Sequence, residues 1–459
     1  MGSVDYSLKD CYYPIVTEPS QVWHVRLWKG TQRVFRWLRP GLGVKRWLVL
    51  ILAGVTLLGV GLAIFLLDLY RTSSTNTIWL TILSYVSLRF LARSLRVLVF
   101  GGLGVGLVVL GIWGLNRTIL KPFLRPGRHV IDQLDDYRRR ERGPHVVAIG
   151  GGHGLSTLLR GLKEYTHNLT AVVSVADDGG SSGELRRTMG ILPPGDIRNC
   201  LAALSNDEAL LTQLFQYRFS GAPGLNGHSF GNLFISALSD LTGSFEEAVA
   251  ESGRVLSVYG RVLPSTLHNV RLIADVRLPY LPNEVRVEGE SRIPKIAGTV
   301  RRVWLDPNDA PAFPPVIQAI LSADLIVIGP GSLYTSILPN LLVRDLLAAI
   351  YSSRAVKAYI VNIATQSGET DDYSCGDHVR ALDEHIGEGL LDLIVCNNCY
   401  EGALSTSSNW AKLDEKMLTD ARVYCNDLVD REHPWHHDSA RLAQTLINLL
   451  YERTGPLSG

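Results

Sequence analysis

The stretch from His145 to Ser156, HVVAIGGGHGLS, limits the fold more than any other part of the chain. An apolar run over residues 146–149 breaks into three glycines, and a helical pattern begins at Leu155. A buried strand that opens a helix through glycines is a common seat for an anion. Glycine lets the backbone come close, and the helix N-terminus offers free N–H groups and the positive end of its dipole. A tight strand-to-helix turn with no ligand is the plain alternative. The string is not a Walker loop, because no GK[ST] follows, and its third glycine is out of place for a dinucleotide fingerprint.

The chain beyond Pro144 repeats this design. Apolar runs predict strands over 146–149, 169–175, 270–276, 325–328, 358–363 and 391–395. Between them, helical patterns cover 155–165, 197–204, 208–217, 245–256, 314–321 and 378–386. Short apolar strands alternating with helices predict an α/β fold: a Rossmann-like, doubly wound, mostly parallel sheet covered on both faces. Such sheets bind ligands outside the carboxyl ends of their strands, so the loops after the strands hold the candidate site.

In the first loop, Gly151, Gly152, His153 and Gly154 are placed to meet a phosphate, although His153 reads equally well as an exposed loop histidine. The second loop, ADDGGSSG over 176–183, offers three readings. Asp177 and Asp178 would hold a ribose hydroxyl, bind Mg²⁺ through water, or simply form a turn. Ser181 and Ser182 supply hydroxyls and would cap a helix beginning near Glu184. In PPGDIRN over 193–199, Asp196 is expected to cap the next helix and is a third metal candidate; Arg198 and Asn199 either face the cleft or do not. Asn232 closes the similar string HSFGN. The richest loop is GPGSLYTSILPN over 329–340. Its small residues permit close approach, and Ser332, Thr335 and Ser336 bring hydroxyls to a helix start, with Gly331, Tyr334 and Asn340 beside them. NIATQSGET over 362–370 is again polar at a strand end. No GxSxG, HExxH or cysteine–histidine partnership appears, so these residues describe a phosphate-binding cleft and no reaction.

Upstream the character changes. Residues 47–67 and 97–115 are uncharged apolar runs rich in glycine. Each is about the twenty residues needed to cross a bilayer. They predict a two-helix membrane hairpin over 47–116, after a basic segment over 1–46 and before a charged linker over 117–143; the cytosolic domain then occupies 144–459. Buried core helices are the alternative. Residues 1–143 carry 20 Lys and Arg against 8 Asp and Glu, whereas the remainder carries 25 against 36. By the positive-inside rule the basic flanks, and the domain after them, lie in the cytoplasm, tethered to the membrane; Arg71, Arg89, Arg93 and Arg96 in the connecting loop run against it. The acidic character of the soluble part argues against nucleic acid as a partner. Six scattered cysteines are no disulfide framework, and Cys396–Cys399 is an isolated CxxC that reads as a metal or redox pair or as the end of a buried strand.

Taken together and in order, GGGHGLS, VADDGGSSGELRR, PPGDIRNCL, HSFGNL, LPSTL, GES, IGPGSLYTSILPNLLV and NIATQSGETDDYSCGDHV resemble the motifs of the YvcK-type gluconeogenesis factors. These are relatives of the CofD family of 2-phospho-L-lactate transferases, and the resemblance runs from about Pro144 to Leu450. It implies a domain that binds a UDP-sugar, such as UDP-N-acetylglucosamine or UDP-glucose, with the glycine loop and the GPGSLYTS loop on the phosphates and sugar. It also implies a regulatory role, more than a catalytic one, in gluconeogenic growth, cell shape and envelope synthesis, with a protein partner there and a homo-oligomer as an option. The alternative it carries is a CofD-type phosphotransferase with Mg²⁺ held by Asp177, Asp178 and Asp196, against which stands the string after the second strand, which in CofD members is closer to NTGDD. A membrane scaffold that docks partners is a third reading. The chain departs from the family pattern at Ser367, where a proline is usual, and in Trp435-His436-His437-Asp438, where an arginine is expected before the aspartate.

Overall fold

The computed structural model describes residues 140–205, 210–221, 224–404 and 408–455, with a few isolated positions between 55 and 95. The expected membrane hairpin, its basic N-terminal flank and most of the linker lie outside the described residues. Among the described residues no single helix is long and apolar enough to cross a membrane. The chain divides into two compact units between Asp136 and Tyr137.

In the second unit, β1 (Val146–Gly150), β2 (Leu169–Val173) and β3 (Arg261–Pro264) form one half of a seven-stranded sheet. The other half is β7 (Leu325–Ile328), β8 (Val356–Ile360), β9 (Leu393–Asn397) and β10 (Val423–Asn426). The spatial order is β10-β9-β8-β7-β1-β2-β3, and every neighbouring pair is parallel. The strands β1, β2, β7 and β9 are buried at every position. Continuous apolar runs are what a parallel sheet with both faces covered requires. The edge strands β3 and β10 are only partly buried, which is why their apolar signal is weak in the sequence.

The helices α1 (Gly152–Leu162), α2 (Gly180–Met189), α3 (Gly195–Leu204), α4 (Leu210–Gln216), α5 (Phe230–Thr242) and α6 (Phe245–Val255) belong to the first half of the chain. The second half contributes α7 (Pro314–Leu321), α8 (Leu338–Leu341), α9 (Arg344–Ser352), α10 (Cys375–Ile386), α11 (Glu415–Leu418) and α12 (Ser439–Thr454). The helix α1 packs against α3 and α12.

Three local expectations are corrected. The segment expected as a parallel strand over 270–276 is β4 (Arg271–Arg277), the centre of a separate antiparallel sheet with β5 (Val285–Glu288) and β6 (Thr299–Asp306). Its charged ends, Arg271 and Arg277, are exposed, and a half-solvated antiparallel sheet accommodates them where a doubly covered one would not. The helix expected near Glu184 starts at Gly180 behind Gly179, so Ser181 and Ser182 lie in its first turn and do not cap it. Asp196 likewise sits in the first turn of α3, behind Pro194, and makes no cap bond.

Candidate functional site

After β1 the chain builds outward to β2 and β3; after β3 it leaves for the small sheet and returns at β7, on the other side of β1. The strands β1 and β7 therefore lie side by side, Ile149 opposite Ile328, while their following loops lead to opposite halves. A crevice at the carboxyl ends is the geometric consequence. It is a cleft of about 770 Å³. The loop after β1, the loop after β7 and the loop after β8 line it, together with Asp177, Asp196, Glu290 and the segment Trp435, His436 and His437.

The loops are locked to one another. A Cβ on Gly154 would stand 2.6 Å from the carbonyl oxygen of Pro330, so only glycine lets the loops after β1 and β7 touch. Gly152 enters α1 at φ +63°, a conformation that favours glycine. The Asn340 amide donates to the carbonyls of Gly150 (3.0 Å) and Ser336 (2.8 Å), clasping both loops from below. Asn362 grips Gly331 twice: its Oδ1 accepts from the Gly331 N–H at 3.1 Å and its Nδ2 donates to the Gly331 carbonyl at 2.8 Å.

The GPGSLYTS loop continues into a π-helical turn over Leu333–Ile337, a geometry common at functional sites. Buried Glu369 holds that turn. It accepts from Thr335 Oγ1 at 2.8 Å, from the Tyr334 N–H at 3.3 Å and from Gln366 Nε2 at 3.0 Å. Ser332 Oγ donates to the other end of the Gln366 amide at 2.6 Å. One carboxyl group thus sets the position of two cleft hydroxyls.

The electrostatics are unusual for an anion site. Burial pushes Asp196 up to about 6, helped by the charge of Asp177 and opposed by a hydrogen bond from the Gly152 N–H. Burial, then the charges of Asp177 and Asp196, push Glu290 up to about 8. Burial also raises Asp177, against hydrogen bonds from the Gly179 N–H and Ser182. Glu369 is raised to about 7 by burial. Near neutral pH the Glu290 carboxyl therefore carries a proton, and a neutral carboxyl can donate to a phosphate or sugar oxygen.

Of the residues expected at the site, the cleft brings together Gly151, Gly152, His153, Gly154, Asp177, Asp196, Gly331, Ser332, Thr335 and Ser336. The others do not line it. Asp178 turns toward the small sheet, where its carboxylate accepts from the Ser291 N–H at 2.9 Å. Ser182 is buried beside Asp177. Arg198 is buried and donates to Asn199 Oδ1 at 2.7 Å, with its Nε left without a partner. Tyr334 is buried with its hydroxyl 2.8 Å from that of Tyr373. Asn340 is the clasp already described. Asn232 donates to Ser181 Oγ at 3.0 Å behind α2. Ser181 Oγ also lies 3.0 Å from His228 Nδ1, and His228 Nε2 lies 3.3 Å from Glu184. This serine–histidine–glutamate order resembles a hydrolytic triad, but it does not border the cleft.

The metal set of Asp177, Asp178 and Asp196 is corrected too. Asp178 faces away, and among the described residues no group of three His, Cys, Asp or Glu is arranged to hold a metal ion. Cys396 is buried near the end of β9 beside Cys375, Cys399 follows the strand, and both are free thiols, so the CxxC straddles a strand end. Sequence reasoning gave no role to Glu290 or Glu369. The first arrives on the small sheet and the second from beneath a loop, and the only traces of them in the sequence were the strings GES and SGET.

A family model described as 2-phospho-L-lactate transferase CofD matches residues 146–451. The gluconeogenesis factor of Bacillus subtilis is 44% identical over 324 residues, which are 67% of this chain and 99% of that protein. A Nostoc protein carrying the same name in provisional form is 52% identical over 362 residues, 78% of this chain and 77% of its own length. The crystal structure of BH3568 from Bacillus halodurans, 41% identical, aligns with a TM-score of 0.62 over 67% of this chain and all of its own.

Proposed function

Because the chain belongs to the CofD family, among its gluconeogenesis factors, we propose that the cleft binds a UDP-sugar and that the protein acts as a sensor. The observation that carries this reading is the pair of abutting small-residue loops at the strand-order reversal, in a cleft of about 770 Å³. That volume falls in the range of small-molecule sites, roughly 300–1,000 Å³. The glycine loop and α1 face the diphosphate, Ser336 donates to a phosphate or sugar oxygen, and Ser332 and Thr335, whose hydroxyl protons go to Gln366 and Glu369, accept from sugar hydroxyls. The sensed UDP-N-acetylglucosamine or UDP-glucose links carbon metabolism to envelope synthesis and cell shape through a protein partner. The N-terminal segment tethers the domain to the cytoplasmic face of the membrane, and homo-oligomerisation is part of the same reading.

The test is calorimetric titration of residues 137–459 with UDP-N-acetylglucosamine, UDP-glucose and GDP, with and without Mg²⁺. The Bacillus subtilis and Bacillus halodurans relatives are whole proteins of about this extent, so the fragment is a folding unit. Saturable UDP-sugar binding without product, lost in Ser332→Ala/Thr335→Ala, is the expected result. The family model's own name favours a second reading, a Mg²⁺-dependent transferase. Preference for GDP, with Mg²⁺-dependent consumption of a nucleotide-linked substrate, would replace the sensor by that reading.

A further inference from the structure

The cleft has a charge problem. Each phosphate of a nucleotide-sugar is an anion at neutral pH, yet among the described residues no lysine or arginine lines the cleft, and three carboxyl groups do. The cationic groups on its surface are imidazoles: His153, His436 and His437. His437 is buried with its Nε2 3.2 Å from the Val361 carbonyl, and burial drives it down to about 4, so it stays neutral. His153 and His436 are exposed and come from different elements, the first turn of α1 and the segment before α12. They are close enough for the charge of one to act on the other. Trp435 packs edge-on against His436, ring centroids 5.8 Å apart, and holds it at the cleft.

We propose that His153 and His436 form the diphosphate clamp of this cleft, both becoming imidazolium as the anion seats between them, with the protons drawn from solvent. This rests on the nucleotide-sugar reading of the cleft. His153 is faced by the guanidiniums of Arg198, Arg160 and Arg218. His436 is faced by His153, His433, Asp430 and Arg160. Asp177, Asp196 and Glu290 complete the ionisable lining. Desolvation first, and then those cationic neighbours, keep both imidazoles below the ordinary histidine value, so the empty clamp is neutral at pH 7. A bound anion reverses the field. Linkage then couples binding to proton uptake, and affinity falls as pH rises through the histidine range. Protons taken by Asp196 or Glu290 would survive removal of the imidazoles, which separates the two sources.

The experiment titrates the full chain, in EDTA, with UDP-N-acetylglucosamine and with inorganic pyrophosphate. Buffers of different ionisation heat at about pH 6, 7 and 8.5 read proton uptake directly. Uptake at pH 7 is expected, with affinity falling about tenfold from pH 6 to 8.5, as for loss of one charged hydrogen bond. In H153Q/H436Q both uptake and pH dependence should shrink. Both positions are exposed, and unchanged thermal melting confirms that the variant folds. Unchanged uptake in H153Q/H436Q assigns the protons to the carboxyls and overturns the clamp, as does binding without uptake. If pyrophosphate binds with histidine-dependent uptake and the UDP-sugar does not bind, the clamp stands and the UDP-sugar reading fails. Binding of neither removes both.

Discussion

The buried carboxyl of Glu369 yields a prediction whose sign changes with pH. Glu369→Gln keeps the shape of the side chain and one accepting oxygen, toward Thr335 and Gln366, but sets an amide NH₂ against the Tyr334 N–H. Leaving that donor unsatisfied costs about 1–2 kcal/mol at any pH. The second contribution depends on pH. Burial raises Glu369 from its ordinary 4.5 to about 7. A group raised in the folded state gives stability that is fully present below its unfolded pKa and is lost as pH rises through the folded value. A shift of that size corresponds to about 3 kcal/mol, lost between roughly pH 4.5 and pH 7. Glutamine does not titrate and loses nothing. The variant should therefore be less stable than the parent by about 1–2 kcal/mol near pH 4.5 and more stable by about the same amount near pH 9. Urea unfolding of residues 137–459 at both pH values, compared as variant minus parent, cancels the other titrating groups. Destabilisation of one sign and similar size at both would show that Glu369 is ionised throughout and refute the argument.

Three further outcomes follow from the same geometry. Gly154→Ala drives a Cβ to 2.6 Å from the Pro330 carbonyl and should cost about 1–3 kcal/mol while weakening ligand binding more than ten-fold; unaltered melting would mean that the two loops do not touch. Glu290 is raised to about 8, so the parent loses stability as pH rises through that value. Glu290→Gln should melt above the parent at about pH 9, with the difference shrinking toward acid pH, and parallel melting curves would contradict the shift. Cys200, Cys375 and Cys396 are buried, whereas Cys399 and Cys425 are half-buried. Mass spectrometry of the native chain after thiol labelling should find the last two modified and the first three protected until denaturant is added.

What the sequence determined alone was the element types and the loops that matter. Central strands of a doubly covered sheet are continuous apolar runs, so VVAIG, LTAVV and LIVI declare themselves, and glycine loops at their ends mark where the backbone must turn or come close. Edge strands bury one flank only, so β3 and β10 left little trace. Chain order cannot say which way a polar side chain turns. Asp177 and Asp178 are adjacent, yet one enters the cleft and the other serves the small sheet, because the Ser291 N–H is there to receive it. Tyr334 pairs with Tyr373 behind the loop, and Arg198 turns one N–H to Asn199 although its Nε stays buried without a partner. Glu290 and His436 reach the cleft from segments far away in the chain, carried by the small sheet and by the approach to α12. Local periodicity reports which face of an element is apolar. The balance of buried charge in a cleft is a sum over elements brought together by packing, and only the tertiary structure performs that sum.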